Sequence, residues 1–421
     1  MRNPRTLLVS VVAAVILLTH SGLMPAVEPN EIDLLLRTAV ERGDVRGVVA
    51  MAATSRGIVY QGAFGKRCVE NNEDMTVDSV FRIASMTKAV TSVVAMQLVD
   101  EGKLRLETPV SQHIAALANP QVLVGIDAES KKLRLRPASK AVTVKHLLTH
   151  TAGFGYEFWD PLLREAVDAG LVPSIQDKDS RFLQAPLVCD PDTEWHYGIN
   201  TDWLGRLIET VRGASLEQVF AEHLCRPLKM SDTHFSLPAN TAPRLVAHCQ
   251  RQTDGTLVER ARATNTQVTF CSGGGGLYAT APDYMRFLRA LLRGGELDGA
   301  QILNAATVAL MGRNHIGHFE AGRMRTIMPQ ASNDVDFLPG SINRFGFGFL
   351  INTQPVLGGR AAGSLAWAGI FNTYFWLDPT QDVCGVLMTQ VLPFYDSKVV
   401  ELLNGFERAV YRQVGAQATL D

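Results

Sequence analysis

The sequence predicts an α+β protein: one antiparallel sheet built from both termini, flanked by helices, with a mostly helical lobe inserted between its two halves. Two observations carry this. Strand-like runs lie near both ends and are joined by short connections, which suit antiparallel pairing because parallel strands need long crossovers. The middle of the chain instead shows helical periodicity between Pro- and Gly-bearing loops. With 421 residues, 46% hydrophobic, there is material for one large core or two closely packed lobes. A formal net charge of −2 gives no basic excess for a nucleic-acid partner.

The elements follow in order. Arg2 and Arg5 precede "LLVSVVAAVILL" (7–18), then Ser21, Gly22, Pro25 and Ala26. That is the layout of a secretory signal peptide over 1–26, with an apolar region too short to span a bilayer. Export to the periplasm or medium is the expectation. Met24 and Ala26 make a poor cleavage pair, which leaves an uncleaved N-terminal anchor as the alternative. Residues 27–421 then form the folded part, with a sheet lobe over about 30–84 and 341–415 and a helical lobe over about 85–340.

Asn30 caps a helix through "EIDLLLRTAVERG", with Gly43 as its stop. "VRGVVAMAATS" and "IVYQGAFG" read as a hairpin joined at Arg56-Gly57. Helical pieces include "NTDWLGRLIETVRG", "SLEQVFAEHL" and "PDYMRFLRALLRGG". The far end gives strands in "RFGFGFLINT", "GSLAWAGI", "TYFWLDP" and "VCGVLMTQVL", and a closing helix over 398–414. The six cysteines (Cys68, Cys189, Cys225, Cys249, Cys271 and Cys384) show no CxxC or other metal-ligand spacing. Buried free thiols and some disulfide pairing both remain open.

Two motifs are decoys. "SGGGG" (272–276) lacks the Lys-Ser/Thr of a phosphate-binding loop and reads as a place where backbones approach closely. His146 and His150 in "HLLTH" have zinc-protease spacing, but Leu147 stands where the general-base glutamate belongs, so they read as structural. No metal is expected. No G-x-S-x-G elbow occurs either.

The informative stretch is "RIASMTKAVTSVVAMQLVDEG" (82–102). From Ala89 to Val99 it carries no charge, which reads as a helix buried on most of its surface, yet Lys88 begins it. Lysine is almost never fully buried without a partner. Ser85 is the only serine with a lysine three residues on, and positions i and i+3 are neighbours on a helix. A serine needs an adjacent base to become a nucleophile, and an amine can serve if burial and neighbouring cations keep it neutral before attack. The helix start would also place N–H groups near the developing charge.

After Ser85 come "TVKHLLTHTAGF", "WHYGINTDWLG", "SGGGGLYATAPDYMRFLRALL" and "AWAGIFNTYFWLDPTQDVCGVLMTQ", in that order. Together they resemble the serine β-lactamase and penicillin-binding-protein superfamily, and within it the class C-like branch that contains the family VIII carboxylesterases. The resemblance spans about 30–414 and rests on ordered agreement at several sites. It implies a β-lactamase/transpeptidase-like fold, with Ser85 as nucleophile, Lys88 as its partner and Tyr197 as a proton relay. It also implies an oxyanion hole from the backbone N–H groups of Ser85 and of Ile370, just after Trp367-Ala368-Gly369; such donors are worth about 2.7–4 kcal/mol each.

Two departures lean toward esters. Ile199 stands where the lactamase Tyr-x-Asn motif has its asparagine, and "YGINTD" fits an esterase pattern in which an aspartate, here Asp202, follows the tyrosine by five. Trp367 replaces the usual cation and offers apolar surface and one N–H donor. The expectation is a serine hydrolase that cleaves small-molecule carboxylic esters, short acyl chains favoured, through an acyl-enzyme on Ser85, with no metal or organic cofactor. Alternatives on the same site are a β-lactamase, a D-amino-acid peptidase or an acyltransferase; from another class, a catalytically silent binding protein.

Overall fold

The computed structural model describes residues 30–177, 179–262 and 268–418. The signal-peptide reading over 1–26 lies outside the described residues.

Both termini build one eight-stranded antiparallel sheet, as the sequence predicts. Its order is Asn343–Phe345, Leu350–Asn352, Leu365–Gly369, Thr373–Asp378, Val383–Met388, Gly47–Ala53, Ile58–Cys68 and Glu73–Asp74. The two ends of the chain meet where Val383–Met388 pairs with Gly47–Ala53, in the register Val49 to Met388 through Ala53 to Cys384. Both strands are buried along their whole length. An antiparallel strand buried on both faces needs a cover on each side. Trp376 packs on Phe406 of the C-terminal helix Ser397–Ala418, whereas its neighbour Phe375 packs on Tyr284 of the helix Ala281–Leu292. Successive side chains point to opposite faces, so the two helices sandwich the sheet. The N-terminal helix Glu31–Glu41 packs on the C-terminal one, and Asn30 Oδ1 caps it by accepting the Ile32 N–H at 2.9 Å.

Several elements differ from the sequence reading. "RFGFGFLINT" is a tight hairpin, not one strand. Phe345 pairs with Leu350, Gly346 N–H donates to Phe349 O at 2.8 Å, and Gly348 takes a left-handed φ of 91°. Alternating Phe and Gly imitates strand periodicity, but the glycines permit the reversal. "VCGVLMTQVL" leaves the sheet after Met388, and Val391 pairs with Cys249 in a small separate sheet. Among the described residues the inserted region contains three two-stranded ribbons, one of them Gln121–Ile126 with Leu133–Pro137, and its helix Ala281–Leu292 belongs to the cover of the main sheet. All six cysteines are free thiols; Cys68, Cys225, Cys249 and Cys384 are buried.

Candidate active site

Ser85 sits in a short 3-10 turn, Ala84–Met86, which runs into the helix Thr87–Asp100. Ala84 holds a positive φ of 44°, an uncommon conformation for a residue with a Cβ. Two sheet strands meet Ile83, the residue before this turn: Thr373 Oγ1, at the start of Thr373–Asp378, donates to Ile83 O at 3.3 Å, and a Cβ on Gly369, at the end of Leu365–Gly369, would lie 2.2 Å from that same oxygen. Ile370, the residue after Gly369, lines the same cavity as Ser85.

Lys88 is 1% exposed, and its amine is surrounded by three acceptors. It donates to Gly274 O at 2.7 Å, Tyr156 OH at 3.0 Å and Ser85 Oγ at 3.3 Å. Those three oxygens give the buried amine its partners and resolve the puzzle of a lysine in a chargeless helix. Two tyrosine rings flank the amine, with the centroid of Tyr197 at 4.8 Å and that of Tyr156 at 5.2 Å.

The sequence reading missed Tyr156. It lies just past "TVKHLLTHTAGF" and has no local pattern to mark it; it reaches Lys88 only because the 150–156 segment folds under the helix. Burial, with Asp202 and Tyr197 adding to it, holds the Tyr156 phenol well above its ordinary pKa, so it stays protonated. Tyr197 was expected to bridge Ser85 and Lys88. Its ring is in place, but its hydroxyl accepts the Trp367 indole N–H at 3.2 Å. Trp367 is 3% exposed and packs on Tyr197, Phe345 and Phe337. The donor expected to face substrate is therefore turned toward the tyrosine.

Asp202, expected at the substrate site, is fully buried and does not line the cavity. Its Oδ1 accepts the Ser272 hydroxyl at 2.5 Å and the Gly274 N–H at 3.0 Å. Gly274 then offers its carbonyl to Lys88, so Asp202 anchors the peptide that holds the amine. Burial pushes the Asp202 carboxyl up from its ordinary value; the nearby Lys88 charge, the Ser272 hydroxyl and the Gly274 N–H oppose that. The glycine run has its reason here. A Cβ on Gly274 would lie 2.2 Å from Asp202 Oδ2, and one on Gly273 would lie 2.7 Å from Thr201 O.

The two histidines do scaffold work. His146 Nδ1 accepts the Thr143 N–H at 3.2 Å in a capping box, and His150 Nδ1 pairs with Asn200 Nδ2 at 2.9 Å. Asn200, one place late for the lactamase motif, thus turns into the core at the start of the helix Asn200–Arg212.

Ser85 opens onto a cavity of about 2040 Å³, walled by Phe158, Trp159, Phe182, Phe270 and Met324. The family model for Beta-lactamase matches residues 32–407. The chain belongs to the Beta-lactamase family. The family's sheet-and-helix fold is the one described above. Among curated relatives of this Beta-lactamase-family chain, ML-236A carboxylate methylbutanoyltransferase of Penicillium citrinum is 31% identical over 403 residues, covering 91% of this chain and 94% of its own. Lovastatin esterase of Penicillium rubens is 28% identical over 400 residues, covering 91% and 98%. Among solved structures, a LovD6 mutant of simvastatin synthase from Aspergillus terreus superimposes with a TM-score of 0.79 at 31% identity, covering 91% of this chain and 95% of that one.

Proposed function

We propose that this protein is a serine acyltransferase and esterase that moves a short acyl group, through an acyl-enzyme on Ser85, to or from a bulky apolar alcohol. The observation that carries this is the cavity. Pockets for drug-sized ligands run to about 300–1,000 Å³, and a volume near 2040 Å³ with an aromatic wall suits a large apolar alcohol beside the acyl group. The relatives support it: one is named for methylbutanoyl transfer to ML-236A carboxylate, another as an esterase of lovastatin. This puts acyl transfer, an alternative in the sequence analysis, beside the expected ester hydrolysis.

The chemistry follows from the contacts. Ser85 Oγ attacks the ester carbonyl carbon and its proton passes to a neutral Lys88 amine 3.3 Å away. The carbonyl oxygen becomes an oxyanion facing the N–H groups of Ser85 and Ile370. The C–O bond to the leaving alcohol then breaks, and that alkoxide takes its proton through the Lys88 and tyrosine network. An acceptor alcohol attacks the acyl-Ser85 ester by the reverse of these steps; water in its place gives hydrolysis. Export, argued from 1–26 alone, belongs to the same proposal and is read by N-terminal sequencing of protein from the medium or periplasm.

The test is a partition experiment. p-Nitrophenyl butyrate serves as donor, and a polycyclic secondary alcohol is titrated in. The reading requires a butyrate ester of that alcohol, formed at the expense of free butyrate. Hydrolysis unaffected by any bulky alcohol would remove the transferase half, and faster turnover of nitrocefin would replace it with a lactamase.

A further inference from the structure

The loop that delivers Tyr197 carries a second chemistry on its outer side. The ligand atoms of Cys189, Glu194 and His196 all lie within 4.8 Å of one another. His196 turns Nδ1 toward Glu194 Oε1 at 4.0 Å and Nε2 toward Asp160 Oδ2 at 3.6 Å. Asp160 is itself fixed, because its Oδ1 accepts the Leu163 N–H at 2.7 Å as the cap of the helix Pro161–Asp168. A metal-bound histidine almost always gives its other ring N–H to such a carboxylate.

The backbone beneath these donors is already held. Val188 N–H donates to Gly153 O at 2.7 Å, Asp192 N–H to Thr151 O at 2.8 Å and His196 N–H to His150 O at 2.8 Å. Gly153, at φ +90°, admits the close approach: a Cβ there would lie 2.2 Å from Cys189 O. The donors therefore sit on a braced loop, which lowers the ordering cost of binding.

We propose that Cys189, Glu194 and His196 form a binding site for a thiophilic divalent cation of the Zn²⁺ type, with Asp160 behind His196 and water in the fourth position. With Zn–S near 2.3 Å and Zn–N near 2.0–2.1 Å, donors of a tetrahedral site lie roughly 3.3–3.6 Å apart. Glu194 is exposed, so its side chain closes the difference by a rotamer change. A thiolate, an imidazole and a carboxylate form a donor set that selects zinc-like ions over Mg²⁺ or Ca²⁺. On binding, the Cys189 S–H bond breaks, the S–metal bond forms and the proton leaves to solvent. The cation braces residues 189–196, immediately before Tyr197, and takes no part in acyl transfer.

The test titrates Co²⁺, a spectroscopic stand-in for Zn²⁺, into the purified full chain. One equivalent should bind with a thiolate-to-cobalt charge-transfer band in the near ultraviolet, and Zn²⁺ should bleach it. Cys189→Ser should abolish the band, while Cys271→Ser, which alters another partly exposed thiol, should keep it. Asp160→Asn retains a capping side chain and should weaken binding about 10–100-fold. Should Cys189→Ser fail to fold, His196→Asn and Glu194→Gln give the same reading through weakened binding. Absence of the band in the wild type, its survival in Cys189→Ser, or unchanged affinity in Asp160→Asn overturns the site. Activity is not the readout, so the result stands apart from the acyl-transfer proposal.

Discussion

Replacing Trp367 by Phe removes one atom group that matters, the indole N–H 3.2 Å from Tyr197 OH, and leaves an aromatic ring among Phe337, Phe345 and Tyr197. A hydrogen bond to a neutral phenol contributes about 0.5–1.5 kcal/mol, and one to an oxygen gaining negative charge about 1.5–3 kcal/mol. If Tyr197 relays a proton, its oxygen gains charge in the transition state, and only the gain over the bond already present in the ground state, about 1–1.5 kcal/mol, is lost from kcat. At 1.36 kcal/mol per decade, kcat should fall roughly 5–13-fold, with little change in KM because the N–H faces the tyrosine and not the substrate. The assay is initial-rate hydrolysis of p-nitrophenyl butyrate by wild type, Trp367→Phe, Tyr197→Phe and the double variant. In the Tyr197→Phe background the tryptophan change should cost no more than about 2-fold, because residues acting as a unit are not additive. An equal loss in both backgrounds would show that Trp367 acts by packing, and no loss in either would remove Tyr197 from the proton path.

Other outcomes follow from the same site. Lys88→Met should lower kcat by about 10²–10⁴-fold, the usual scale for a general base, with the fold retained by circular dichroism; near-normal turnover would return Lys88 to a structural role. kcat/KM for p-nitrophenyl butyrate should exceed that for nitrocefin by at least about 10²-fold, since Trp367 cannot supply the charge-assisted hydrogen bond, about 1.5–3 kcal/mol, that a lactam carboxylate seeks. Equal rates would contradict it. Away from the site, burial pushes Asp283 up to about 6, opposed by the Asp232 N–H and the Thr233 hydroxyl. As pH rises through about 4 to 6 the folded state keeps a proton that the unfolded chain has lost, so stability falls, by on the order of 3 kcal/mol once the window is passed. Asp283→Asn should therefore gain on the wild type as pH rises across that window, measured by thermal melts; parallel curves would refute the assignment.

The parts of the fold legible in the sequence are those with local causes. Asn30, the Arg56-Gly57 turn and the apolar runs at 365–388 each carry their own signal, and capping, turn chemistry and burial act within a few residues. Ser85 and Lys88 were legible because an i, i+3 pair on one helix is itself local. Tyr156, Asp202 and the glycines at 273–274 work through contacts between distant segments. Tyr156 meets an amine 68 positions away, and Asp202 acts through a peptide 72 positions on. Nothing beside Tyr156 in the sequence hints at it, and the spacing of Asp202 from Tyr197 marks the residue but not its contact with Gly274. "RFGFGFLINT" misled for a local reason: alternating aromatics suggest a strand, and the glycines between them permit a turn.

The most direct test of acyl transfer through Ser85 is mass spectrometry of the protein quenched during turnover of p-nitrophenyl butyrate. The account predicts one added butyryl group, on the peptide containing Ser85, lost in Ser85→Ala and discharged faster when a bulky apolar alcohol is added. A butyryl group on any other residue, or turnover that persists in Ser85→Ala, would contradict it.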